Sequence, residues 1–247
     1  MIGEKILIAA AVNALLAIAS YILGAVGMSG VIGGFVVGFI ILFFGGWGSF
    51  AVLVTFFIFG SLATQLGYHK KASIGVAQEN KGRRGAKNAL AKCSVAAVAS
   101  IAYFVGVQYG LKEADLRWLF AVVAGSFATA LFDTASSEIG QLYGRHPFLI
   151  TTMRPVPVGT DGAVSVEGTI AGLAAGLFLG IIGAAVNLYG PLGIAWVTIG
   201  AFVGTTFESI MGAVGWKGRN FNNELLNFIN TLVGGVTAGV LAFVFRG

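Results

Sequence analysis

Three carboxylates sit where carboxylates are expensive. Asp133 and Glu138 fall near the end of one apolar run, in Phe132-Asp-Thr-Ala-Ser-Ser-Glu-Ile-Gly140. Glu208 falls near the end of another, in Phe207-Glu-Ser-Ile-Met-Gly212. An ionisable group inside an apolar span is costly and is kept for function unless a partner explains it. A third run opens with Asn223, Asn227 and Asn230, spaced i, i+4 and i+7, which makes one stripe along a helix. Singly, such an Asn often just bonds a neighbouring helix. Polar groups on three runs at one depth point instead to a shared site. Carboxylate oxygens of this kind suit Mg²⁺, so Asp133, Glu138 and Glu208 are the candidate catalytic and metal-binding residues. Asp133 and Glu138 are five residues apart, about 140° round a regular helix. Sharing one ion would require an unwound helix near Ser136-Ser137, a bridging water or a second metal.

Cations flank these groups. The segment Glu79-Asn-Lys-Gly-Arg-Arg-Gly-Ala-Lys-Asn88 interleaves Lys81, Arg83, Arg84 and Lys87 with two glycines and leads into an apolar run. Glycine lets backbone approach a ligand closely, a helix N-terminus favours anions, and Arg grips phosphate with a planar fork. This is a candidate phosphate cradle, although no G-x-x-x-x-G-K-[ST] motif occurs in the chain. The bland alternative is an orienting charge run beside a span. A second loop holds Arg154-Pro-Val-Pro-Val-Gly-Thr-Asp-Gly-Ala-Val-Ser165, whose prolines and glycines give it a definite shape. Arg154, Gly159, Thr160 and Ser165 join the phosphate-binding candidates, as do Asn223, Asn227 and Asn230. Metal ions and cations placed on phosphates are the core of phosphoryl transfer. At a membrane surface that chemistry implies a lipid-linked substrate.

The elements that must carry these residues are transmembrane helices. The 247-residue chain is 57% hydrophobic and only 10% charged, against about 25% charged in soluble domains. Its apolar residues come in blocks of the length a helix needs to cross a bilayer. Eight runs are visible, at about 4–26, 30–45, 47–66, 89–110, 117–140, 168–189, 191–213 and 225–245. The second is short and joined to the third by Gly45-Gly46-Trp47-Gly48, so seven spans are also possible. The first reads as a retained span rather than a cleaved signal peptide. The fold class expected is all-α: one polytopic helical membrane domain over residues 1–247. Gly172, Gly176 and Gly180, Gly200 with Gly204, and Gly235 with Gly239 recur every four residues, a spacing for close helix packing in lipid. A lone cysteine, Cys93, excludes a disulfide framework, and His69 and His146 leave little room for a His-rich metal site. His69, among lysines, reads as a solvated loop residue.

Three polar loops, 67–88, 141–167 and 214–224, are each separated by two spans and therefore share a side. They carry ten cations, including Lys70, Lys71, Arg145, Lys217 and Arg219, against four (Lys5, Lys112, Arg117 and Arg246) on the other side. The positive-inside rule makes those loops cytoplasmic, in a multi-pass cell-membrane protein.

The segments 81–88, 133–140, 156–165 and 223–231, in that order, resemble the integral-membrane family that contains the plant phytyl-phosphate kinase and animal transmembrane protein 19. The resemblance runs from about residue 30 to the end. It implies a CTP-dependent kinase that converts a prenyl monophosphate, such as phytyl or geranylgeranyl phosphate, to the diphosphate, with no nucleic-acid partner. Two positions depart from the family pattern. Glu208 stands where an Asp is expected, and Asp161 puts a negative charge into the glycine-rich loop. Two other readings use the same residues: a cytidylyltransferase or phosphatase acting on lipid phosphates, and a transporter or flippase for a phosphorylated lipid or small anion. Transporter sites lie near the bilayer midplane; polar groups gathered toward one leaflet favour an enzyme.

Overall fold

A computed structural model describes residues 2–214 and 222–245. Lys217, Arg219 and Arg246, three of the cations that set the expected sidedness, lie outside the described residues. The helices are α1 (Ile2–Ile22), α2 (Met28–Gln65), α3 (Tyr68–Ser73), α4 (Ala86–Gln108), α5 (Glu113–Leu116), α6 (Trp118–Tyr143), α7 (Val166–Ala185), α8 (Leu192–Val214) and α9 (Asn223–Val244). Two-residue strands β1 (Phe148–Leu149) and β2 (Ala163–Val164) pair antiparallel within the 144–165 loop. Among the described residues, seven helices are long and apolar enough to span a membrane, counting α5 and α6 as one.

The second of these, α2, folds back on itself. A straight helix of its 38 residues would be about 57 Å long, nearly twice the hydrocarbon thickness. Gly46 interrupts it with φ 74° and ψ −177°, a backbone state that favours glycine. The halves then fold back: Gly38 lies against Phe50, and both Gly30 and Gly60 lie against Arg84. The short second run is therefore one arm of a folded-back helix, residues 28–45, close to the length a single crossing needs. The loop ends of the helices collect on one face. There Gly159 meets Val76, Gly162 meets the end of α8, and Lys70 Nζ donates to the Leu142 carbonyl at 3.1 Å.

Helix α6 is the axis of the bundle, buried along most of its length against α2, α4, α7, α8 and α9. Small residues make this possible. Gly125 faces Ala238 and Gly234 of α9, Gly172 of α7 faces the Phe132 ring, and Gly204 of α8 faces the Asn230 carbonyl of α9. Lipid offers no hydrophobic drive for helix association, so close packing and interhelical polar bonds hold the bundle together. Helix α1 stands outside, packed mainly on α2 and largely exposed.

Candidate functional site

Two polar constructions occupy the loop-side half of the bundle. The outer one is a cavity of about 450 Å³ lined by Gly27, Ser29, Asn80, Lys81, Arg83, Arg84 and Gly85. Two helices begin at its wall. The N-caps of α2 and α4 are Gly27 and Gly85, and neither has a side-chain cap, so backbone N–H groups of both first turns remain for a ligand. Pairing between the 25–27 and 84 segments fixes the wall: Arg84 N donates to Ala25 O at 3.0 Å and Gly27 N to Arg84 O at 3.1 Å. Asn80, Lys81 and Gly82 all take positive φ (53°, 59° and 77°). A left-handed conformation costs about 1–2 kcal/mol at each non-glycine residue, and such strain concentrates where a ligand is held.

Arg84 runs inward from this cavity. Its guanidinium lies 5.1 Å from the Phe56 ring centroid and close under Gly60, where any side chain would displace it. Burial lowers its pKa, and the carboxylates of Glu138 and Asp133 act in the opposite direction. Arg84 thus stands between the cavity and the carboxylates.

The inner construction joins α4, α6, α8 and α9. Lys92 Nζ meets Asp133 Oδ2 at 3.0 Å and Thr134 Oγ1 at 3.1 Å. Asp133 and Lys92 both act electrostatically on the Glu208 carboxyl. Asn230 Nδ2 donates to Glu208, while the buried Asn230 Oδ1 has no partner. The acidic side chains of Asp133 and Glu208 and an orphaned amide oxygen, with one ammonium beside them, form an oxygen-rich group of the ligand type that suits Mg²⁺ together with substrate phosphate oxygens.

The expected carboxylate triad is not assembled. Helix α6 runs unbroken from Trp118 to Tyr143, so Asp133 and Glu138 keep their separation round the axis. Glu138 turns instead to Lys71 of α3, which is fully buried and also donates to the Thr64 carbonyl at 2.8 Å. Among the described residues, no three His, Cys, Asp or Glu side chains come close enough to hold a metal by themselves.

Of the cationic candidates, Lys81, Arg83 and Arg84 line the cavity, and Lys87, Arg154, Gly159 and Thr160 do not. Arg154 is exposed beyond β1, and Thr160 Oγ1 donates to the Pro157 carbonyl at 2.8 Å within its own turn. Ser165 is the N-cap of α7, its Oγ accepting from Gly168 N at 3.1 Å, which makes it a structural residue. The asparagine stripe divides. Asn230 joins Glu208, Asn227 bonds the Asn223 carbonyl at 2.9 Å, and Asn223 is exposed at the helix entrance.

Sequence reasoning overlooked Lys92. It is the fifteenth cation, absent from the loop count because it lies inside the fourth apolar run. That position was itself the signal, since a lysine within a span demands a partner. Lys71 was counted as a loop charge, and its burial was invisible in sequence.

The profile of the integral membrane protein family DUF92 matches residues 11–235. The chain belongs to this family. An uncharacterised membrane protein of Synechocystis sp., sll0875, is 41% identical over 194 residues, covering 78% of this chain and 73% of that protein. Protein VTE6, chloroplastic, of Arabidopsis thaliana is 35% identical over 193 residues, 76% of this chain and 57% of the plant protein. An uncharacterised membrane protein of Methanocaldococcus jannaschii, MJ0933, is 35% identical over 215 residues, 87% and 84% of the two chains. No solved structure matches this DUF92 chain.

Proposed function

We propose that this DUF92 protein is a prenyl-phosphate kinase, transferring the γ-phosphoryl group of a nucleoside triphosphate, CTP by family resemblance, to a prenyl monophosphate. The observation that carries the reading is the cavity in which Lys81, Arg83 and Arg84 meet two uncapped helix N-termini. Cations gathered beside free helix N–H groups suit a phosphate.

The acceptor oxygen belongs to a phosphate monoester, whose second pKa is about 6, so it is already anionic at neutral pH. No general base is needed. A new bond forms from this oxygen to the γ-phosphorus, the bond to the β-phosphate oxygen breaks, and the products are a prenyl diphosphate and a nucleoside diphosphate. Catalysis then rests on bringing two anions together and stabilising the charge on the moving group. Lys81, Arg83 and Arg84 supply the outer positive charge, and Lys92 supplies an inner one beside Asp133. Asp133, Glu208 and the Asn230 side-chain Oδ1 would hold Mg²⁺, which when bound neutralises phosphate charge. The loop face, with its excess of cations, is placed in the cytoplasm.

Nucleotide consumption by the purified protein with Mg²⁺ and geranylgeranyl phosphate tests the proposal. CDP and geranylgeranyl diphosphate should appear in equal amounts. Release of pyrophosphate would instead indicate a cytidylyltransferase. Absence of turnover with every nucleotide, alongside movement of the lipid phosphate between leaflets, would establish a transporter.

A further inference from the structure

The cationic cavity carries more charge than a single phosphate group needs. Lys81, Arg83 and Arg84 bring three positive side chains to its wall. The N-termini of α2 and α4 add about half a charge each, for a total of about +4. Among the described residues no carboxylate lines the cavity, and Glu79, the nearest acid along the chain, is exposed. None of the three cations takes part in an ion pair there: the pairs are Lys71–Glu138 and Lys92–Asp133. A phosphate monoester carries at most about two negative charges. The triphosphate of a nucleotide carries about four, two on its terminal phosphate and one on each of the others. The volume of about 450 Å³ also falls within the range of roughly 300–1,000 Å³ that whole ligands occupy.

A second positive centre lies deeper. Lys92 is seven residues beyond the N-cap Gly85 of α4, roughly 10 Å further in along the helix axis. An ammonium has three N–H donors. Asp133 Oδ2 and Thr134 Oγ1 take two of them, at 3.0 and 3.1 Å. Arg84 links the two depths: it lines the cavity, its guanidinium lies over the Phe56 ring, and the charge of Asp133 acts on it.

We propose that the two substrates are held at different depths: the cavity takes the triphosphate of the water-borne nucleotide, and Lys92 takes the phosphate of the acceptor from within the membrane. The assignment rests on the kinase reading and adds which substrate each cation serves. A cavity at the loop face suits a ligand that arrives from water. A lysine inside a span suits one that arrives with its chain in lipid. The γ-phosphoryl group is passed inward at Arg84. A bond forms from an anionic oxygen of the acceptor to the γ-phosphorus, the bond to the β-phosphate oxygen breaks, and the nucleoside diphosphate stays in the cavity.

Equilibrium binding to the full-length protein in nanodiscs tests the assignment, with EDTA present to prevent turnover. Phosphate, pyrophosphate and tripolyphosphate should displace radiolabelled CTP with rising affinity, and geranylgeranyl phosphate should not displace it. Lys81→Ala and Arg83→Ala should each weaken tripolyphosphate binding roughly tenfold and leave geranylgeranyl phosphate within about twofold. Lys92→Met combined with Asp133→Asn should lose geranylgeranyl phosphate and still bind tripolyphosphate. Equal affinity for phosphate and tripolyphosphate, displacement of CTP by geranylgeranyl phosphate, or loss of the lipid phosphate in the Lys81 and Arg83 variants overturns the assignment. The competition on wild type needs no variant, so it decides even where a variant fails to fold. The kinase reading is judged separately, from the products formed once Mg²⁺ is restored. CDP formation by a protein whose cavity variants lose the lipid phosphate keeps the kinase and discards the placement. Tripolyphosphate bound at the cavity with no nucleotide consumed discards the kinase and keeps the polyphosphate site.

Discussion

Replacing Lys71 by Met separates a structural role for Glu138 from a catalytic one. Lys71 is fully buried, Glu138 is nearly so, and the lysine also satisfies the Thr64 carbonyl at the end of α2. Removing one partner of a buried ion pair leaves the other charge uncompensated, at a cost of about 3–5 kcal/mol. For a chain of this length each kcal/mol moves the melting temperature by about 2–4 °C. Lys71→Met should therefore melt roughly 6–20 °C below wild type. The only cysteine, Cys93, is buried, so a thiol-reactive dye reports unfolding directly. Replacing both partners with apolar residues, Lys71→Met with Glu138→Leu, should recover most of the loss, because such swaps are often neutral. Turnover of the double variant then settles the role of Glu138. Wild-type rates make it the anchor of α3, and a stable but inactive protein returns it to the chemistry. A melting temperature for Lys71→Met within about 3 °C of wild type would refute the reasoning.

Arg84→Lys and Arg83→Lys should insert normally, since orientation counts Lys and Arg alike. At least one should lose about tenfold or more in kcat/KM, near 1.4 kcal/mol, because an ammonium cannot replace a bidentate fork. Equal rates in both variants would leave the 81–88 segment as an orientation signal. Lys92→Met should abolish turnover with the protein still folded once Asp133→Asn is added to remove the stranded charge; turnover in that double variant would exclude both residues from the site. Gly204→Ala should lower both stability and activity, because the added methyl would meet the Asn230 carbonyl and the Thr129 side chain and push Asn230 away from Glu208. The check is dye-monitored melting beside turnover. Cysteines placed at Glu79 and Met153 should resist a membrane-impermeant thiol reagent in intact cells, and labelling of both from outside would reverse the assigned orientation.

The amino-acid sequence alone determined the solvent of this protein and an expected direction for its helices. Apolar runs of bilayer length and a one-sided distribution of cations are local properties, and lipid imposes them without reference to the fold. The Gly45-Gly46 break, the small-residue spacings and the gathering of polar groups toward one face were legible for the same reason. Partner choice was not. Whether Asp133 meets Glu138 or Glu208 depends on which helices flank α6, and the periodicity of one helix carries no information about its neighbours. The tertiary structure gave Glu138 to Lys71, brought Lys92 to Asp133, and turned Ser165 into a helix cap. It also built the cationic cavity beside two helix N-termini, one of them, at Gly27, more than fifty residues before Lys81 in the chain. Burial decided each assignment. A polar group removed from water must find a partner, and only the packed bundle determines which one is within reach.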